Sequence, residues 1–511
     1  MLIVHLRFGQ DSPVDRHVSI VDVCRQLDRW IAEDLEDSGS PAPSEKRDGE
    51  SERDCHIDQS LWGAIAAFSA RWLPITSGGG VSDPGDWHIV VSLWRDARRN
   101  MLKVINRPSY RSMLTLFLFA LTPVPAGISD DEDADGISGL ACVHAALHQI
   151  QTLRARHRDL QFSGSMVSLS SRAQPNCASP ESIGTSSFLN AESIAYWAAL
   201  TFDTSASLTL NCRPLLSSGL FGFESEIPWR LVRTCGNMFD QASQNWSHAS
   251  CEMTDERADQ IVAAAAAWKL LGWKLTAVFK EALRDGHDES EVAKAYAAVV
   301  DSVQQFNSIY RRPLEACQRR MPFLSQTIRL RWCKYTFHFF LAGHTRGTDK
   351  LLFIGEDTLM LHYHLSILML VDMIEAANRS DLLIKLVDFS TDAENVVMST
   401  LDFGLHNSFN LVLKSHTSCS GPTSSAREAI RPPITVPLVS VDPYPHHVVA
   451  GVQLLQKAID RDFASGKIAE ESYRSLQSTL ERTLSCLPQS SKSVQAAKTN
   501  FSATMASHLV V

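Results

Sequence analysis

Recognisable chemistry is what this chain has least of. No two of its eleven cysteines stand at C-x-x-C spacing, which excludes a zinc ribbon or a thioredoxin-type redox pair written in the usual way. G-x-S-x-G, G-x(4)-G-K-[ST], G-x-G-x-x-G and H-E-x-x-H are absent as well, and with them the nucleophile elbow, the phosphate loop, the dinucleotide fingerprint and the zincin helix. Positive charge is in deficit, 48 Lys and Arg against 57 Asp and Glu for a net charge of -9. A free-standing nucleic-acid binder would need the opposite balance to neutralise phosphates. Long apolar runs are also missing: a stretch such as Met113 to Leu121 falls well short of the roughly 20 residues of a membrane span. The odd, scattered cysteines follow no signal-peptide pattern, so reduced thiols in the cytosol or nucleus are expected.

What remains is 511 residues at 44% hydrophobic content, enough for a large core and for two to three units of ~150 residues. Apolar residues recur at helical spacing through most of the chain, and no period-two alternation persists. The expected fold is therefore all-α, an irregular array of antiparallel helix pairs.

In chain order, residues 1–57 read as a poorly ordered segment with one helix near Val18 to Leu35. The stretch EDLEDSGSPAPSEKRDGESERD is charged and nearly free of large apolar groups, and so reads as a solvated linker. A helical domain is expected over 58–413. Its first helix carries Leu61, Trp62, Ile65, Phe68 and Trp72 and is stopped by Pro74 and Gly78 to Gly80. Helices follow over Asp86 to Val104, Ser109 to Leu121 and Ile137 to His157, the second of these apolar nearly all round and hence interior. Arg158 to Asn190 is Ser-rich and aperiodic and reads as a long loop. Asn190 is the expected N-cap of the next helix. Helices from Asp255 and over Ser290 to Tyr310, joined by DGHDE, should pair antiparallel. Others are expected over Glu356 to Ala377 and Asp392 to Leu413. A Ser/Pro-rich connector over 414–445 with a short extended piece, a helical hairpin over 446–487 turned at Ser465-Gly466-Lys467, and a tail over 488–511 complete the chain.

Three clusters invite a chemical reading. Asp131, Glu132 and Asp135 in SDDEDADG have loose D-E-x-x-D spacing for magnesium, but flanking Pro123, Pro125, Gly127 and Gly136 predict a solvated loop. His362 and His364, with His338 and His344 upstream, suggest zinc. Residues i and i+2 on a helix diverge by about 200°, so core histidines are predicted. The basic run RRPLEACQRRMPFLSQTIRLRWCKY predicts Arg stems lying over apolar neighbours, with Arg311-Arg312 and Arg319-Arg320 as a spaced candidate for a nuclear import signal.

One stretch carries more than its own helix. In Ala191 to Arg233, the positions Trp197, Asp203 and Ser205 form W-x(5)-D-x-S. Arg213-Pro214 then stops the helix, because proline has no N–H to donate and biases its predecessor away from helical geometry. Glu226-Ile227-Pro228 follows. This ordered set resembles the middle homology region of fungal zinc-cluster transcription factors, the fungal-specific or xylanolytic-activator-type domain, with Cys212 where the family usually has Gly. Asp96-Ala97-Arg98 and the L-x-Y-H of Leu361 to His364 fit the same pattern, as does the wording from DPYPHH to LPQSSKSVQAA. The likeness covers roughly residues 58 to 500.

The resemblance implies a nuclear, all-helical regulatory domain, with Trp197, Asp203, Ser205, Arg213 and Pro214 structural and no catalytic, cofactor-binding or metal-binding residues. Its partners would be the transcription machinery or a zinc-cluster factor, and homo- or heterodimers fit; no membrane association is expected. The family's six-cysteine zinc cluster is absent, since Cys24 and Cys55 stand alone in the first hundred residues. No cofactor is therefore expected, and DNA contact should be indirect or supplied by an N-terminal module outside this sequence. The alternatives are an all-α enzyme with an inter-helix pocket and a helical interaction scaffold.

Overall fold

The computed structural model describes residues 20–37, 44–73, 84–157, 186–209, 212–216, 226–244, 253–284, 286, 288–320, 323–324, 358–406, 408–411, 434–442 and 444–508. Among them the chain is all-α, apart from one short hairpin in which β1 (Ser408–Leu411) pairs antiparallel with β2 (Ile434–Pro437). β2 is the extended piece expected in the connector; β1 replaces the end of the helix predicted to run to Leu413.

The first half consists of α1 (Ile20–Asp37), α2 (Ser44–Ala70), α3 (Pro84–Met101), α4 (Tyr110–Leu121), the short α5 (Asp130–Ala134), α6 (Gly139–His157) and α7 (Ser186–Thr209). Their apolar stripes close on one core that includes Leu27, Leu61, Phe68, Trp94, Met101, Phe117 and Ile150. Interior placement of α4 follows from its composition: every residue from Tyr110 to Phe119 is buried. Ser109 caps it by accepting the Ser112 amide.

The second half comprises α8 (Ile227–Gln244), α9 (Asp255–Arg284), α10 (Glu289–Arg320), α11 (Thr358–Ala376), the single-turn α12 (Ser380–Leu383), α13 (Val387–His406), α14 (Pro445–Ala464), α15 (Glu470–Cys486) and α16 (Lys492–His508). Helices α9 and α10 pack along each other as the expected antiparallel pair. Gly286 in their connection takes a left-handed φ of 64° that a side chain would strain. The core between them holds Trp268, Phe279, Phe306, Tyr310 and Tyr363, with the last stacked on Phe306 at 3.7 Å. By length and apolarity α9 could cross a membrane, but 83% of its most apolar window is buried in this core.

Helix α7 serves both cores. Ile194, Ala195 and Ala199 face the first, while Trp197 and Leu200 face the second.

Four expectations are corrected. Residues 44–57 are helical rather than a solvated linker, while the helix expected near Val18 to Leu35 is α1. Ile20, Val21, Cys24 and Leu27 are buried, and the acidic segment is recruited by the largely buried Arg111, which holds Asp28 at 2.7 Å, Asp54 at 2.9 Å and Asp58 at 3.2 Å. Asn190 lies inside α7, whose first residue is Ser186. Helix α10 runs through Pro313 to Arg320: the ring forfeits one hydrogen bond, but burial of Leu314 and Cys317 beyond it keeps the helix seated. Residues 492–508 of the expected tail form α16, anchored by Val494, Ala497 and Phe501. The terminal hairpin turns as expected, with Gly466 at a φ of 72°. The Gly78 to Gly80 stop and residues 158–185 of the Ser-rich loop lie outside the described residues.

Candidate functional site

The described residues of the Trp197 to Pro228 signature lie where the two cores meet. Helix α7 ends four residues before Arg213, and the proline stop leaves the amides beyond it without helical acceptors. Asp203, buried on the last turns of α7, takes them: its two carboxylate oxygens accept the amides of Leu215 at 2.8 Å and Leu216 at 2.9 Å. Trp197 is buried in the second core. Ser205 is half-buried, and its carbonyl accepts the Thr209 hydroxyl. Arg213 is mostly exposed and reaches Glu281 of α9 at 3.3 Å; Pro214 is half-buried. Glu226 accepts the Trp229 indole N–H at 3.1 Å as α8 begins.

Lys274 lies at the centre of this region, and sequence reasoning passed over it as one residue of an apolar helix. It is 1% exposed in the middle of α9. Burial pulls its ammonium below the usual lysine range, against the carboxylates of Asp203, Glu226 and Glu281. Burial likewise raises the Asp203 carboxyl, opposed by its two amide bonds and by Lys274. The only sequence signal was a lone cation inside LLGWKLTAVF.

The histidines form a second buried group. His364 turns its Nδ1 to the Met360 carbonyl at 2.9 Å, while His362 places Nε2 3.1 Å from Nδ1 of His447, near the start of α14. The i and i+2 imidazoles thus diverge as helical geometry requires, and both are core side chains. Trp273 donates its indole N–H to the His362 carbonyl at 2.7 Å and sets its ring edge-on to both imidazoles. Burial, followed by neighbouring charge, lowers His362 and His447 well below the ordinary imidazole range. Neutral rings of complementary tautomer, one donating and one accepting, satisfy this contact. Half-buried Lys269 is pulled down to about 8 by desolvation. His338 and His344 lie outside the described residues.

The acidic cluster is a capped helical turn, α5, rather than a loop: Ser129 accepts the Glu132 amide. Glu132 takes Arg95 through two bonds of 2.7 Å, and Asp130 pairs with Lys492 of α16. No group of three His, Cys, Asp or Glu is placed to share a metal among the described residues. Arg311, Arg312, Arg319 and Arg320 are all exposed, with Arg311 reaching Glu315 at 3.1 Å and Asp392 at 3.7 Å.

No family model, no curated protein and no solved structure matches this chain.

Proposed function

We propose that the chain is the regulatory module of a nuclear regulator of RNA polymerase II transcription, of the fungal zinc-cluster class, working through protein partners. DNA contact is made indirectly or by a module outside this sequence. The observation that carries the reading is the ordered set Trp197, Asp203, Ser205, Arg213, Pro214 and Glu226. An ordinary buried helix with a proline stop needs only some of these residues; here Asp203 and Glu226 both act on Lys274, and α7, which bears Asp203, has a face in each of the two cores. The carboxylates in that region are engaged by amides, an indole and cations, an arrangement suited to holding two helical layers in register. The net charge of -9 supports an indirect route to DNA.

The test is to tether the full chain to a heterologous DNA-binding domain upstream of a reporter in a fungal cell. A several-fold change in reporter output, in either direction, is expected, together with nuclear accumulation of the untethered chain. An unchanged reporter and exclusion from the nucleus would remove the proposal. A gel shift at physiological salt with the chain alone should show no sequence-specific complex.

A further inference from the structure

The two faces of α8 have different surroundings. Trp229, Val232, Gly236 and Phe239 are buried and seat one face on the second core. The opposite face is exposed and carries Ile227, Leu231, Thr234, Met238 and Gln241. Those positions alternate in steps of four and three residues, the spacing that keeps a stripe turned toward a second helix. None of the five is charged, and the three apolar ones, Ile227, Leu231 and Met238, are 71%, 37% and 45% exposed. Single exposed apolar side chains are ordinary on a protein surface; an uncharged stripe in register along one helix is a surface suited to being covered.

The charges on α8 indicate what covers it. Exposed Arg230 and half-buried Arg233 lie in the N-terminal half of the helix, and half-buried Asp240 lies in the C-terminal half. Neither arginine nor Asp240 forms an ion pair among the described residues; Asp240 accepts the Gln244 side-chain amide at 3.3 Å. Cations toward the N-terminal end are on the unfavourable side of their own helix dipole. Against an antiparallel second copy the same arginines face the partner's C-terminal end, where its Asp240 and the negative pole of its dipole lie. A parallel copy would instead set the arginines side by side. The helix is therefore complementary to itself, in one orientation.

We propose that two copies of this chain associate through α8, their exposed faces packed antiparallel about a two-fold axis near Thr234. A helix of 18 residues is about 27 Å long, and one helix pair of that length makes a contact at the small end of specific interfaces, so the dimer is reversible. The proposal goes beyond the regulatory reading and does not depend on it, because association is measured whatever the chain controls.

Sedimentation velocity of the full chain between about 1 and 100 µM tests it, and a reversible monomer–dimer equilibrium is expected. Ile227→Glu with Met238→Glu puts charge into the stripe at exposed positions, and should weaken association about a hundredfold or more while leaving the urea midpoint of the monomer in place. Arg230→Glu with Arg233→Glu should weaken it about tenfold. Adding Asp240→Arg to that pair makes the helix complementary to itself again and should recover most of the loss. Should a double variant not fold, Met238→Glu alone tests the stripe, and weaker association of the unmodified chain at higher salt tests the charges. A monomer throughout the range, as when another segment of the chain covers the face, would overturn the proposal. So would a dimer indifferent to the glutamates in the stripe, or no recovery with Asp240→Arg.

Discussion

Asp203 shows how one side chain can hold a chain reversal. It supplies two acceptors to amides that the proline stop strands, and it does so from a buried position where its own charge is disfavoured. Asp203→Ala removes both acceptors and is expected to cost about 2–3 kcal/mol in a urea titration. Asp203→Asn keeps one carbonyl acceptor and sheds the buried charge, so its cost should stay below about 1 kcal/mol. Two glycines make a similar contrast. A Cβ on Gly236 would stand 2.5 Å from a ring carbon of Trp268, deep in the second core, so Gly236→Ala should destabilise by at least about 1–3 kcal/mol. A Cβ on Gly136 would meet only the flexible end of Arg98. That arginine can swing away, and the change should stay within about 0.5 kcal/mol, read from the same titration.

Between elements, the imidazole contact joining α11 to α14 makes stability depend on pH. His362 and His447 have lowered values in the folded chain, whereas in the unfolded chain they take up protons near pH 6.5. The unfolded state therefore binds more protons below that point, and the stability these residues confer is present above about pH 6.5 and drains away as the pH falls below it. The two rings are coupled, so the loss belongs to the pair. Denaturation midpoints between pH 7.5 and pH 5 should fall more steeply in the unmodified chain than in His447→Gln; identical slopes would show that the pair is not the acid-sensitive element. Helix α2 teaches a different lesson. Its N-terminal half reads as a solvated linker because it has almost no apolar residues, yet Arg111, 53 residues beyond Asp58, collects Asp54 and Asp58 together with Asp28. Local composition contains no information about a cation that arrives from another helix.

At the scale of the whole molecule, two links between the cores stand out among the described residues. One link is α7, with a face in each core. The other is the entry to α16, where the Ala126 amide bonds the Ser490 carbonyl at 2.8 Å and the Lys492 amide bonds the Val124 carbonyl at 2.9 Å. Ending the chain after Leu487 removes that link along with the burial of Val494, Ala497 and Phe501, worth several kcal/mol at about 1.5–3 kcal/mol for each large apolar side chain. Hydrogen exchange should then accelerate in both the second core and the segment 124–128, more than 360 residues away in sequence. Acceleration confined to α14 and α15 would show that the contact does not couple the halves.

Helix by helix, sequence alone determined much of this protein: the all-α class, the interior position of α4, the antiparallel pairing of α9 with α10, the Gly466 turn and the divergence of His362 from His364. These follow from periodicity, capping and the fixed angle per residue, which act over a few residues and are written along the chain. Only the tertiary structure decided that α2 begins at Ser44, inside the acidic segment, that α10 survives Pro313, that residues 492–508 are a packed helix, and that Lys274 and His447 matter. Each of those depends on the partner brought against it from a distant part of the chain. Burial and charge pairing are properties of that juxtaposition, and no window of neighbouring residues contains it.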